Sequence, residues 1–168
     1  RRRGLPVPVR TPTAREAGLA LAGTLGALVL ATGLSVLLAA LDLVPGSVIE
    51  ESGRIDPNFF LGVAVLSVLI VAPAEEYLFR GVIQGRLRET FGPVGAVVGS
   101  SLLFGSVHLT NYTGSVPQVV AGALLIAGTG AVLGALYEWT DNLTVPIVTH
   151  AVYNVVLAGT AYLTATAA

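Results

Sequence analysis

The sequence predicts an all-α, polytopic transmembrane bundle of about five long helices, and three observations carry that prediction. Of 168 residues, 54% are apolar and only 11% are charged, well outside the composition of soluble domains. The uncharged run 17–41 is 25 residues long, enough to cross a hydrocarbon core about 30 Å thick. No segment alternates with the period of a membrane β-barrel.

The elements follow in order. Arg1, Arg2 and Arg3 open the chain, and Arg10 and Arg15 also precede the first apolar run. Basic residues beside a first span more often set orientation than bind nucleic acid. The first helix is expected at 17–41 and is retained, because the apolar region of a cleaved signal peptide is only about 7 to 15 residues long. The chain contains no methionine, so residue 1 is not expected to be where translation began. An acidic loop carrying Asp42, Glu50, Glu51, Arg54 and Asp56 comes next, with VPGS and DPN as turn signals. A second helix is expected over 59–89, ended by TFGPVG, a third over 93–109 and a fourth over 117–137. After the loop EWTDN the last helix is expected over 145–163. On this reading 1–58 is a basic amino-terminal segment with the first helix and the acidic loop, and 59–168 is the helical core.

Arg80, Arg86 and Arg88 follow the second helix while the preceding loop is net acidic, so the amino terminus is expected on the cytoplasmic side. Gly81/Gly85, Gly95/Gly99 and Gly130/Gly134 form G-x-x-x-G pairs, which allow close helix approach where lipid gives no hydrophobic drive for association. Tyr77, Tyr112, Tyr137 and Trp139 fall near expected span ends and read as interfacial anchors. The chain has no cysteine, which excludes disulfides and thiolate chemistry. A net charge of −1 offers nucleic acid no overall attraction, so membrane lipid is the expected surrounding and no nucleic-acid partner is expected.

The chemistry begins at APAEEYLFRG, where Glu75, Glu76 and Arg80 follow sixteen uncharged residues, 59–74. A charge near the apolar layer costs at least about 2.5–3.5 kcal/mol on insertion scales, so it is expected to face protein and have a partner. Glu76 and Arg80 are four residues apart and can neutralise each other, and a structural ion pair is the favoured reading for them. Glu75 lies about 100° around the helix from Glu76 and needs another reason to exist. The chain has two histidines. Phe104 and His108 share a face of the third helix, and His150 and Asn154 share a face of the last. With the hairpin centred on Gly92, Glu76 is 16 residues before it and His108 is 16 after, so antiparallel helices bring them level. His150 is expected about 12 Å in from the cytoplasmic end of its helix. These groups are expected to converge at one shallow cytoplasmic depth.

EEYLFRG, FGSVH and HAVYN, in that order and each on its own hydrophobic helix, resemble the E-E-x-x-x-R, F-x-x-x-H and H-x-x-x-N/B motifs of the CPBP family. This is the CAAX protease and bacteriocin-processing family of intramembrane proteases, also called Abi. The resemblance covers about 59–163 and implies an endopeptidase acting on a membrane-anchored peptide or protein, a prenylated CAAX-type segment among the candidates. In it Glu75 activates water, and Glu76, His108, His150 and Asn154 complete the site. Family members usually have more spans than the five read here.

Peptide hydrolysis needs a water nucleophile, a base to take its proton, and donors for the developing oxyanion. Partial desolvation would suit Glu75 to the work of a base near neutral pH. Glu75, His108 and His150 are also enough to hold zinc with one open position, although no H-E-x-x-H pair is present. The metal-free route puts Glu75 and His108 on the water and His150 and Asn154 on the oxyanion. Both routes stand open at this point. Taken singly, His108 reads as a packing histidine, His150 and Asn154 as interhelical glue, and Phe104 as core. Two other classes compete with an enzyme: a membrane scaffold or bacteriocin-immunity protein that keeps the motif for folding, and a proton-coupled transporter using an intramembrane carboxylate. The absence of an obvious inverted repeat counts against the transporter. Oligomeric state is not legible in the sequence.

Overall fold

The structure is a computed structural model that describes residues 7–167; the arginines at positions 1–3, read above as an orientation signal, lie outside the described residues. It is an all-α bundle with four helices long and apolar enough to cross a membrane, Ala14–Ala40, Asn58–Asn111, Val116–Thr140 and Thr144–Ala167.

Helix α1, Ala14–Ala40, starts at a capping box. Thr13 Oγ1 accepts from the Glu16 amide at 3.3 Å, and the Thr13 amide donates to the Glu16 carboxylate at 2.8 Å, which satisfies donors that a helix start leaves free. The buried residues of α1 are mostly small, Ala20, Gly23, Ala27 and Ala31 among them, and they bring it close against the helices Val116–Thr140 and Thr144–Ala167. The acidic loop holds two short elements, a strand and a helix. Strand β1, Gly46–Ser47, pairs antiparallel with β2, Tyr112–Thr113, in the register Gly46↔Thr113 and Ser47↔Tyr112. Helix α2, Val48–Ile55, is capped by Ser47, whose hydroxyl accepts from the Glu50 amide at 3.3 Å. The S-x-x-E signature of a helix start was present in the sequence, inside a run too short to show a period.

The long apolar stretch from Asn58 is not one uniform helix. It passes through α3, Asn58–Leu66, a π-helical turn at Ser67–Val71, α4, Ala72–Glu76, a second π-helical segment at Tyr77–Gln84, and α5, Gly85–Val107. Within α5 the backbone breaks at Gly92, with φ 69° and ψ −177°, and Pro93 follows. A positive φ is open to glycine because it has no Cβ, and proline suits the first position of the helix that follows. The chain doubles back there, so the stretch forms two arms, 58–91 and 93–107, and the bundle has five long rods when α6, Val116–Thr140, and α7, Thr144–Ala167, are added. Asp141, in the left-handed conformation at φ 48°, closes α6.

Of the three glycine pairs, Gly130/Gly134 makes a close helix crossing, and Gly95/Gly99 lies close to Phe91 and Leu87 across the Gly92 turn. A Cβ at Gly130 would meet the Phe104 ring at 3.0 Å and Arg80 Nη2 at 3.4 Å, and one at Gly134 would meet Gln84 Oε1 at 2.9 Å. Gly81/Gly85 does not act this way: Gly85 has nothing within 4 Å, and Gly81 faces Val7 of the amino-terminal segment. Tyr137 also departs from expectation. Trp139 is 74% exposed, as an interfacial anchor should be, but Tyr137 is 1% exposed because it lies on the inward face of α6.

Gly105 on α5 sits against α6, where an added Cβ would fall onto the Ala123 carbonyl oxygen and within 2.9 Å of Ala127 Cβ. Gly105→Val is therefore expected to destabilise the bundle by about 1–3 kcal/mol through overpacking, read as a lower midpoint in denaturant unfolding in detergent.

The amino-terminal segment crosses the turn between α6 and α7. Pro8 O accepts from the Leu143 amide at 2.8 Å, the Arg10 amide donates to Asn142 Oδ1 at 3.2 Å, and the Arg10 guanidinium donates to Thr140 O at 3.2 Å. The same guanidinium pairs with Glu16 in the first turn of α1.

Candidate active site

The Gly92 hairpin lays the end of the second arm beside the middle of the first, as the level count anticipates. Glu75 Oε1 lies 3.8 Å from His108 Nε2, and Glu75 Oε2 lies 3.9 Å from His150 Nε2. One carboxylate thus faces two imidazole rings carried by two other rods. Both gaps exceed direct hydrogen-bond length and suit a bridging water. The Glu75 side chain is 27% exposed and that of His108 17%, while Glu75 Oε2 itself is enclosed with no hydrogen-bonding partner among the described residues.

Each imidazole is held from behind. His108 Nδ1 is 2.7 Å from Phe104 O; a carbonyl can only accept, so Nδ1 carries the proton and, in the neutral ring, Nε2 keeps its lone pair toward Glu75. His150 Nδ1 is 2.9 Å from Glu76 Oε1, and an ionised Glu76 fixes the same tautomer there. The other oxygen of Glu76 is 3.1 Å from Arg80 Nε, with both side chains at 0% exposure. Arg80 Nη2 donates to Gly130 O at 3.2 Å, and its guanidinium lies 4.9 Å from the centroid of the Phe104 ring, a cation–π distance. The ion pair expected for Glu76 and Arg80 is present, and Glu76 also holds His150.

Phe104 is the packing centre of the group. Its ring centroid is 4.7 Å from that of His108, 5.8 Å from that of His150 and 5.0 Å from that of Phe79, and it is buried as the core reading required. Asn154, one turn beyond His150 on α7, donates from Nδ2 to Ser67 Oγ at 3.4 Å.

Three polar residues, Gln84 and Ser67 buried and Glu138 half-buried, were missed by sequence reasoning. Gln84 donates to Gly134 O at 3.1 Å and to Glu138 Oε1 at 2.9 Å, and accepts from Ser100 Oγ at 3.2 Å. Glu138, read in the sequence only as a loop charge, is also the ion-pair partner of Arg88. Ser67 is buried in the first π-helical turn. A signal existed for one of them: Glu76, Arg80 and Gln84 recur every four residues, which stacks them on one helical face.

The residues considered for zinc, Glu75, His108 and His150, do come together. Tetrahedral zinc with bonds of about 2.0–2.1 Å to His and carboxylate atoms holds neighbouring ligand atoms roughly 3.4 Å apart, closer than the 3.8 and 3.9 Å seen here. Among the described residues, no group of three or more His, Asp or Glu is arranged so that it could hold a metal ion. The three side chains as they stand are set wider than bound zinc would hold them.

Comparison with known proteins agrees with this architecture. A family model described as type II CAAX prenyl endopeptidase Rce1-like matches residues 57–156. The uncharacterized protein YpbD of Bacillus subtilis (strain 168) is 31% identical over 94 residues, 56% of this chain and 43% of that protein; the chain thus spans less than half the length of that relative. No solved structure matches significantly. The matched region contains Glu75, Glu76, Arg80, His108, His150 and Asn154, and, on the extent of that match, the chain belongs to the Rce1-like type II CAAX prenyl endopeptidase family.

Proposed function

We propose that this multi-pass integral membrane protein is an intramembrane endopeptidase that hydrolyses a peptide bond of a membrane-anchored substrate, with its amino terminus on the cytoplasmic side. The observation that carries the reading is the Glu75 carboxylate set between two imidazole Nε2 atoms at 3.8 and 3.9 Å. Water bound beside Glu75 loses its proton to that carboxylate as its oxygen attacks the scissile carbonyl carbon. His108 Nε2, lone pair outward, accepts the water's other hydrogen and aims it. The carbonyl oxygen becomes an oxyanion, to which Asn154 donates beside the His150 ring that Glu76 holds from behind. Collapse of the intermediate breaks the C–N bond, and the proton held by Glu75 passes to the leaving amine.

The family's name points to prenylated CAAX-type peptides as the first substrate class to try. Purified protein in lipid nanodiscs is expected to cleave a fluorescent farnesylated peptide, to lose at least about a hundredfold in kcat with His108→Ala, and to keep its rate in a chelator. Cleavage that stops in the chelator and returns with zinc would replace the metal-free route with one using zinc at Glu75, His108 and His150. Undiminished cleavage by His108→Ala would remove the mechanism. If no peptide is cut and substrate drives proton uptake into sealed vesicles, the protein is a transporter instead.

A further inference from the structure

We infer that Ser67 is a positioning residue for Asn154, an inference that rests on the endopeptidase reading for its catalytic consequence and on geometry for the contact itself. Ser67 is buried at the first position of the π-helical turn Ser67–Val71, in a run of sixteen residues, 59–74, where it is the sole side chain with a hydroxyl or amide. Its hydroxyl accepts one hydrogen from Asn154 Nδ2 at 3.4 Å.

The π-turn is what makes the meeting possible. In an uninterrupted α-helix, Ser67 and Glu75 would stand about 80° apart around the axis. A π-turn takes in one residue more than an α-turn, so these eight positions count as about seven, close to two full turns. Ser67 is thereby brought round to the face that bears Glu75. Helix α7 meets this arm at two places, His150 against Glu75 and, one turn further along α7, Asn154 against Ser67.

A primary amide has two N–H hydrogens and one carbonyl oxygen, and it rotates freely unless anchored. With one hydrogen committed to Ser67, the rotation is fixed and the second hydrogen keeps a set direction for an oxyanion beside His150. A catalytic donor held this way pays no reorganisation during the reaction. Ser67 itself needs no contact with substrate.

The test uses the full chain in nanodiscs with 15N-labelled asparagine; the chain has four asparagines, Asn58, Asn111, Asn142 and Asn154, and the side-chain signals missing from Asn154→Ala identify the relevant pair. Ser67→Ala is expected to narrow the separation of the two Asn154 Nδ2 proton shifts, and to lower kcat about tenfold with KM unchanged. In an Asn154→Ala background, Ser67→Ala is expected to change kcat less than about twofold, because it acts through the missing amide. Unchanged Asn154 signals in Ser67→Ala, or the same loss of kcat in both backgrounds, would overturn the inference. Should the wild-type protein cut no peptide, the endopeptidase reading falls by itself, and the amide signals alone decide whether Ser67 anchors Asn154.

Discussion

Glu75→Gln is expected to reduce kcat by at least about a thousandfold while leaving the unfolding midpoint close to that of the wild type. Glutamine keeps the shape and the hydrogen-bonding capacity of the side chain but cannot take a proton from water. The fold has little reason to notice the change, because among the described residues Glu75 makes no direct ion pair with an arginine, remains 27% exposed, and stands 3.8 and 3.9 Å from its two imidazole neighbours. Parallel measurement of peptide cleavage and of denaturant unfolding in the same nanodisc preparation separates the two roles. A variant that cleaves normally would remove Glu75 from the chemistry. A variant that unfolds far more easily, in a protein that cuts nothing, would favour a membrane scaffold that keeps the motif for folding.

The second large effect is on stability. Arg80→Met is expected to destabilise the bundle by about 3–5 kcal/mol, since removing one member of a buried pair strands the other charge. Glu76 has no solvent to turn to at 0% exposure, and among the described residues it would keep His150 as its partner. Adding Glu76→Gln to Arg80→Met takes both charges away together and is expected to restore most of the lost stability, as buried pairs replaced as a unit often show. Activity should not return with it, because the carboxylate behind His150 is gone. A single Arg80→Met variant as stable as the wild type would show that the pair contributes nothing to folding.

Much of this arrangement was legible because charge in lipid is costly enough to give away its own location. Glu75, Glu76 and Arg80 stood out after an uncharged run, the chain has two histidines, and counting from Gly92 placed His108 level with the acidic pair. The turn at Gly92 and Pro93 was plain from residue type. What stayed hidden depended on rotation about helix axes. In a soluble helix the apolar stripe reports which face is inward, but lipid and protein interior are equally apolar, so the stripe vanishes. Tyr137 was for that reason assigned to the membrane surface when it points inward, and Gly81/Gly85 was counted as a crossing when it is not. The π-turns carry no residue signature at all, and with them went Ser67. Gln84 and Glu138 were missed because they were read one at a time, although Glu76, Arg80 and Gln84 share one spacing.

Kinship and mechanical unity have different borders in this molecule. The family match begins at residue 57, yet Ala20 O, on the first helix, accepts from Thr149 Oγ at 3.2 Å, one residue from His150. The Pro8–Arg10 strap fastens that helix to the cap shared by the last two rods. Excising residues 1–56 to obtain a minimal proteolytic core would therefore unbuckle the wall that backs one of its own imidazoles.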